Sequence, residues 1–189
     1  MIPMKLHTPH EMELVKTHLV SLPDTDRYLR FGSYMSDEVI EHYVENNWGG
    51  ANEWMGIVED DTIIAAIHVA PAGEDKSELG LSVDPKWRGR KLGQALFERA
   101  VVFLKASSVK EVYMHCLAEN KVMKHIASKN HMKLFTSYGE TDADLVLPEP
   151  TLIDPYQEVI VEQLAIYDNN IRTFRNAWRH IWTHKNETV

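Results

Sequence analysis

Two groups of residues have the type and spacing to do chemistry, and both lie on one short span of chain. The first is Arg88-Gly89-Arg90-Lys91-Leu92-Gly93, two glycines and three cations at a strand-to-helix junction. Upstream, Glu78-Leu79-Gly80-Leu81-Ser82-Val83 alternates as a strand does, and Asp84-Pro85 ends it. Downstream, Leu92, Leu96, Ala100, Val101 and Leu104 recur at helical spacing. The glycines and cations therefore fall on the first turn of a helix. Unpaired backbone N–H groups and the positive end of the helix dipole attract phosphate there. Gly89 and Gly93 would let the main chain approach a pyrophosphate, and Arg88, Arg90 and Lys91 would add charge. The alternative is an ordinary helix start with a solvated cationic cluster. The stretch is no P-loop, because no hydroxyl follows Lys91, and no dinucleotide fingerprint, because it lacks a Gly-x-Gly pair.

The second is Glu78. Period two puts Glu78, Gly80 and Ser82 on one face of the strand and Leu79, Leu81 and Val83 on the other. A carboxylate amid that apolar run would be partly desolvated, and so suited to take a proton near neutral pH. The alternative is a strand-edge glutamate facing solvent or paired with an arginine. His115 is a possible proton donor or a structural histidine, Cys116 a nucleophile or a small core residue, and Tyr138 a guess at an acid. The pairs His180/His184 and His7/His10 lack a third ligand at suitable spacing, so no structural metal is expected.

Val83-Asp84-Pro85-Lys86-Trp87-Arg88-Gly89, with Gly93 beyond it, resembles the acetyl-CoA pyrophosphate loop of the GNAT superfamily of N-acyltransferases. The family pattern is Arg/Gln-x-x-Gly-x-Gly/Ala, and Lys91 takes the place of its first glycine. The run from Glu119-Asn120 through Met123 to Ala127-Ser128-Lys129 looks like the family's other signature, E-N-x-x-M-x-x-L-A-x-K. Ala127 stands where the general-acid tyrosine usually does, and His131-Met132 replaces a Gly-Phe pair. Ala127 with Met123, the Ser77-Glu78 pair and Asp26-Arg-Tyr-Leu-Arg-Phe-Gly32 are similar to the branch of protein-lysine acetyltransferases that modify acyl-CoA synthetases.

The resemblance covers about residues 3–147. It implies an α/β (α+β) GNAT fold, a mixed, mostly antiparallel sheet flanked by helices, with acetyl-CoA as cosubstrate. Glu78 is then the general base. Main-chain groups around Leu81, Ser82 and Val83 bind pantetheine and polarise the acyl carbonyl. Arg88, Gly89, Arg90, Lys91, Leu92 and Gly93 hold the pyrophosphate, and Asn120 contacts the pantetheine arm or caps its helix.

The elements that must position these residues are legible in outline. Residues 2–7 read as a strand, and Thr8-Pro9-His10-Glu11 opens a helix as a capping box. Ser36 caps a second helix. Trp54–Val58 and Ile63–Ala70 read as strands joined at Glu59-Asp60-Asp61. Short strands are expected near 132–138 and 143–147. The aromatics Tyr28, Phe31, Tyr34, Trp48 and Trp54 are expected mostly in the core.

Prolines at 148, 150 and 155 bracket a linker, dividing the chain into 1–147, 148–154 and a helix over 155–189. On that helix Ile160, Leu164, Tyr167, Ile171, Phe174, Trp178 and Ile181 step by 4 and 3 as a heptad seam. Such a seam packs on its own domain, pairs in a homodimer through residues 155–185, or docks on another protein.

The 189 residues, 44% hydrophobic and 25% charged, suit one well-buried domain. A net charge of −8 disfavours nucleic acid and favours cationic partners. One cysteine, a polar start and no long apolar run point to a cytoplasmic protein with no membrane role. Together these readings describe an N-acetyltransferase acting on a protein lysine or a small amine. The rival is a non-catalytic acyl-CoA-binding or interaction module built around the C-terminal helix.

Overall fold

The computed structural model describes the backbone of residues 1–186 and the side chains of residues 1–179. Ile181 of the seam and the His180/His184 pair therefore lie outside the described side chains. In chain order the elements are β1 (Met4–Lys5), α1 (Pro9–Val20), α2 (Asp24–Phe31), α3 (Asp37–Asn46), β2 (Glu53–Glu59), β3 (Thr62–Pro71) and β4 (Lys76–Val83). They continue with α4 (Leu92–Ala106), β5 (Glu111–Leu117), α5 (Lys121–Lys129), β6 (Lys133–Ser137), β7 (Glu140–Val146) and α6 (Asp154–Asn186).

Local chemistry accounts for most boundaries. Thr8 and Glu11 form the expected capping box, and Ser36 accepts from Val39 N–H. The β2–β3 hairpin turns on Asp60 (φ 48°) and Asp61 (φ 55°), two residues at positive φ as a tight primed turn needs. Helix α2 is the element the sequence signals miss. None of its residues is buried, so no apolar stripe announces it. Its markers are the acids Asp24 and Asp26 in the first turn and left-handed Gly32 at the C-terminus.

The seven strands form one sheet in the order β1-β2-β3-β4-β5-β7-β6, the mixed GNAT architecture the motifs imply. Only the β4–β5 pairing is parallel. Period two splits the core between the two faces. Met55, Ile57, Ile67, Leu79 and Leu81 pack under α4 and α5 with Leu96, Phe97 and Ile126. Leu6, Trp54, Ile63 and Ala66 face α1 and α3, meeting Val15, Leu19, Ile40 and Val44.

Helix α6 docks on α4, β1 and β2, and it does so through polar side chains. Buried Arg99 grips Glu158 at 2.6 and 2.9 Å and Glu162 at 2.5 Å, while Lys5 reaches Glu158 at 2.9 Å. Nearly three turns beyond Glu162, Arg172 pairs with Asp168 at 3.1 Å and Glu59 at 3.0 Å. Of the three alternatives for the apolar seam, packing on its own domain is the one the structure sets aside. Ile160, Leu164, Tyr167, Ile171, Phe174 and Trp178 are all exposed. Docking chose the face with the ion-pair partners, which heptad counting does not weigh.

Candidate active site

Strands β4 and β5 pair only over Lys76↔Glu111, Ser77↔Val112 and Glu78↔Tyr113. Beyond that point they part, although β4 stays paired to β3 through Val83. One edge of Leu79–Val83 is thus left without a strand partner, its main-chain donors and acceptors open to a cavity of about 890 Å³. Glu78, Leu81, Ser82, Val83, Arg88, Gly89, Lys91, Leu92, Gly93 and Asn120 all line this one cavity. Residues up to 42 positions apart in sequence (Glu78 and Asn120) are brought together by the strand split.

The cavity's cationic end is built at the start of α4. Asp84 caps a single 3-10 turn at Pro85–Trp87, and Gly89 (φ 75°) turns the chain. Lys91 then adopts the left-handed conformation (φ 62°) as the N-cap, with no side-chain capping bond. That is the conformation glycine would supply at this family position, so lysine holds it at a cost. Among the described residues the first-turn N–H groups of Leu92, Gly93 and Gln94 have no acceptor. A cradle for an anion is therefore present in the main chain. Gly93 packs closely on α5: a Cβ there would meet the tip of the Ile126 side chain, Cδ1, at 2.9 Å, which would have to shift.

The three cations behave differently. Arg88 forms a 2.6 Å ion pair with Asp26 of α2 at the cavity wall. Arg90 turns away, its guanidinium 4.4 Å from the Trp87 ring centre, and lines a neighbouring shallow depression instead. Lys129, which sequence reasoning passed over, lines both hollows. Its signal was present, since it closes the second motif on the face of α5 that carries Val122 and Ile126.

At the opposite end Glu78 is exposed, not enclosed by the apolar run, and it has no cationic partner among the described residues. Its neighbours Leu79 and Leu81 bury their side chains on the far face, so the expected desolvation does not arise. On β5 and β7, Tyr113 Oη donates to Asp142 Oδ1 at 2.6 Å, and His115 Nδ1 lies 2.7 Å from the same oxygen. The Asp142 hydrogen bond raises the His115 pKa despite its partial burial, and the Glu78 charge adds to the effect. Tyr113 is raised as well, by burial first and then by Asp142. Cys116 also lines the cavity, and burial pushes its thiol up, which disfavours a thiolate nucleophile. Tyr138 sits fully exposed at the β6–β7 turn and is absent from the cavity lining, so the guess that it serves as acid is corrected.

Between these ends lies a polar relay missed in the sequence. Arg30 Nη2 donates to Tyr43 Oη at 3.3 Å, Tyr43 Oη lies 2.6 Å from His68 Nδ1, and His68 Nε2 lies 3.0 Å from Asn52 Oδ1. With the amide oxygen accepting, His68 carries its proton on Nε2 and accepts a hydrogen bond from the Tyr43 hydroxyl at Nδ1. Burial and the Arg30 charge lower His68 to about 3, so it is neutral. Arg30 lies against Gly80, and its Nε is buried without a partner. Ser82 Oγ lies 2.9 Å from Nε2 of His18, a ring that burial lowers to about 4. Asn120 caps α5 by accepting from Met123 N–H at 3.1 Å and reaches Leu29 O at 3.4 Å. Ala127 is buried in the core, and Trp54 is too, whereas Phe31 reaches the cavity wall and Tyr34 is exposed.

Comparison with known proteins agrees with this geometry. The model of the acetyltransferase (GNAT) family matches residues 18–131. No curated protein matches the chain. Among solved structures, it is similar to the GNAT domain of S. lividans PAT, with 16% identity, a TM-score of 0.65, and 77% of this chain and 89% of that one covered. It is also similar to PaiA N-acetyltransferase from Thermoplasma acidophilum in complex with coenzyme A (18%, 0.57, 78% and 100%). A third is the acetyl transferase from Salmonella typhimurium that modifies the N-terminal serine of ribosomal protein L7/L12 (12%, 0.61, 78% and 96%). At these identities the likeness is one of fold.

Proposed function

Because the chain belongs to the GNAT acetyltransferase family, we propose that it moves an acetyl group from acetyl-CoA to a primary amine by direct transfer, with Glu78 as base. The observation that carries this reading is the parting of β4 from β5 beside the unpaired first turn of α4. An open strand edge suits an extended pantetheine amide chain, and the free N–H groups with Lys91 and Lys129 suit its phosphates.

A cationic acceptor first gives up one proton to solvent to become the free amine; in the transfer a C–N bond then forms and a C–S bond breaks, one proton leaves nitrogen and one reaches sulfur. Glu78, exposed and unpaired at the strand split, takes the proton that leaves nitrogen in the transfer, directly or through water. Main-chain N–H groups of the open β4 edge steady the acyl oxygen. His115, held by Asp142 with its pKa raised, supplies the proton that reaches sulfur. Glu78, Glu140 and Asp142 give this end negative charge, and with a net charge of −8 they favour a cationic acceptor. A protein lysine and a cationic small amine both meet that requirement.

The test is calorimetric titration of acetyl-CoA and CoA into the wild type and Glu78→Gln, followed by thiol-release assays with lysine peptides and polyamines. Micromolar binding by both proteins is expected, with turnover lower in the variant by about 10²–10⁴-fold. Absence of binding in both would refute the cofactor assignment. Equal turnover would remove Glu78 from the mechanism.

A further inference from the structure

Helix α6 presents two opposed faces. Glu158, Ala165, Arg172 and Asn176 are buried against the domain. At 100° per residue the seam Ile160, Leu164, Tyr167, Ile171, Phe174 and Trp178 points almost directly away from that stripe. These six side chains are 48–73% exposed. They run for about 27 Å at 1.5 Å per residue. They present on the order of 750 Å² of apolar surface, aromatic side chains being the larger part. A typical monomer's largest apolar patch is about 300–600 Å², whereas a stable dimer covers about 800 Å² on each partner.

We propose that a second copy of this chain covers the seam, the two α6 helices pairing antiparallel about a two-fold axis beside Asn170. The heptad spacing selects a helix of the same period as occupant, and a two-fold interface requires a self-complementary patch. Antiparallel pairing centred near residue 169 supplies one. It sets Ile160 against Trp178 of the partner subunit, Leu164 against Phe174 of the partner subunit, and Tyr167 against Ile171 of the partner subunit. Every layer then joins an aliphatic to an aromatic side chain, so bulk is matched along the whole seam. A parallel pair would stack aromatic on aromatic at three layers, two of them consecutive, and aliphatic on aliphatic at the other three.

The flanks agree with this choice. On one side the seam is bordered by Gln163, Asn170 and Ala177, all uncharged. Asn170 meets its own copy at the axis, where two amides can exchange hydrogen bonds. The other flank carries Val161, Asp168 and Arg175, and its two charges have partners within the chain, Asp168 on Arg172 at 3.1 Å and Arg175 3.7 Å from Glu59, which weakens their repulsion of a second copy. Because the seam lies opposite the docked stripe, two domains sit on the outer sides of the helix pair without colliding.

Sedimentation velocity on the full chain from about 1 to 100 µM tests this. The expected mass is twice 21.8 kDa. Leu164→Glu and Ile171→Glu are each expected to weaken association at least a hundredfold, about the effect of a charge in a buried seam. Thr173→Glu, on the same helix off the seam, leaves it unchanged. Circular dichroism and CoA titration verify that each variant is folded. Under mild oxidation Asn170→Cys is expected to cross-link between copies while Gln163→Cys does not; a parallel pair holds this flank of the two helices on opposite sides of the seam and would cross-link neither. A monomer at every concentration, a dimer indifferent to both seam variants, a dimer that Asn170→Cys does not cross-link, or cross-linking by Gln163→Cys would overturn the proposal. So would a monomer that pellets with phosphatidylserine/phosphatidylcholine vesicles, which would assign the seam to a lipid surface.

Discussion

Replacing Arg99 by leucine tests whether α6 is held by its buried ion pairs. The Arg99 side chain is 1% exposed, and its guanidinium makes two bonds to Glu158 and one to Glu162. Burial raises the Glu158 pKa, but Arg99 and Lys5 outweigh it and hold the carboxyl below its ordinary value. Leucine would remove three charge-assisted bonds and leave Glu158 with Lys5 alone. Removing one partner of a buried pair costs about 3–5 kcal/mol where the other is left uncompensated, and Lys5, which stays 2.9 Å from Glu158, places the expected loss toward the lower end of that range. That is a large share of the roughly 5–15 kcal/mol that keeps a domain folded. At about 2–4 °C per kcal/mol for a chain of this size, the midpoint of thermal unfolding should fall by roughly 6–20 °C. The assay is a double-mutant cycle in urea with Arg99→Leu, Glu158→Leu and both together. The double variant should regain at least half of the loss, because a well-packed apolar pair replaces a buried ionic one at little net cost. A single-variant loss under about 1 kcal/mol, or strictly additive losses, would refute the view that this cluster anchors the helix.

Two further outcomes follow from particular residues. His18 and His68 are neutral in the fold, lowered from 6.5 to about 4 and about 3, while the unfolded chain protonates both below pH 6.5. Their neutral-state stabilisation is complete above pH 6.5 and is lost as pH falls toward 4, by about 2 kcal/mol each at pH 5; urea unfolding at pH 7, 6 and 5 measures it, and a flat profile would mean that the rings are charged in the fold. Lys91→Gly relieves a left-handed lysine and should stabilise the fold by about 0.5–1 kcal/mol, whereas Lys91→Ala should not. CoA titration of the same pair separates backbone from charge, since both variants lose the cation and only alanine keeps the strain.

The sequence by itself determined the local events. The alternation of Glu78–Val83, the breaker Asp84-Pro85 and the periodic run from Leu92 placed a strand, a turn and a helix start in the right order. Capping at Thr8, Ser36 and Asn120 is written in residues a few positions apart, and so are those helix starts. The two motifs and their order carried the family resemblance, and ten of the eleven site residues it implies line one cavity, because a strand end and a helix start adjacent in sequence stay adjacent in space. Tertiary structure decided everything that depends on what faces what. It left Glu78 exposed where the strand pattern implied enclosure, turned Arg90 onto Trp87, tied Arg88 to Asp26 and set Ser82 beside His18. It assembled Arg30, Tyr43, His68 and Asn52 from four separate segments, a relay with no signature in any one of them. It also chose the docked face of α6. A heptad records which residues share a face, but the choice of face to dock depends on partners elsewhere in the chain, here Arg99, Lys5 and Glu59. Period is a local property; partnership is not.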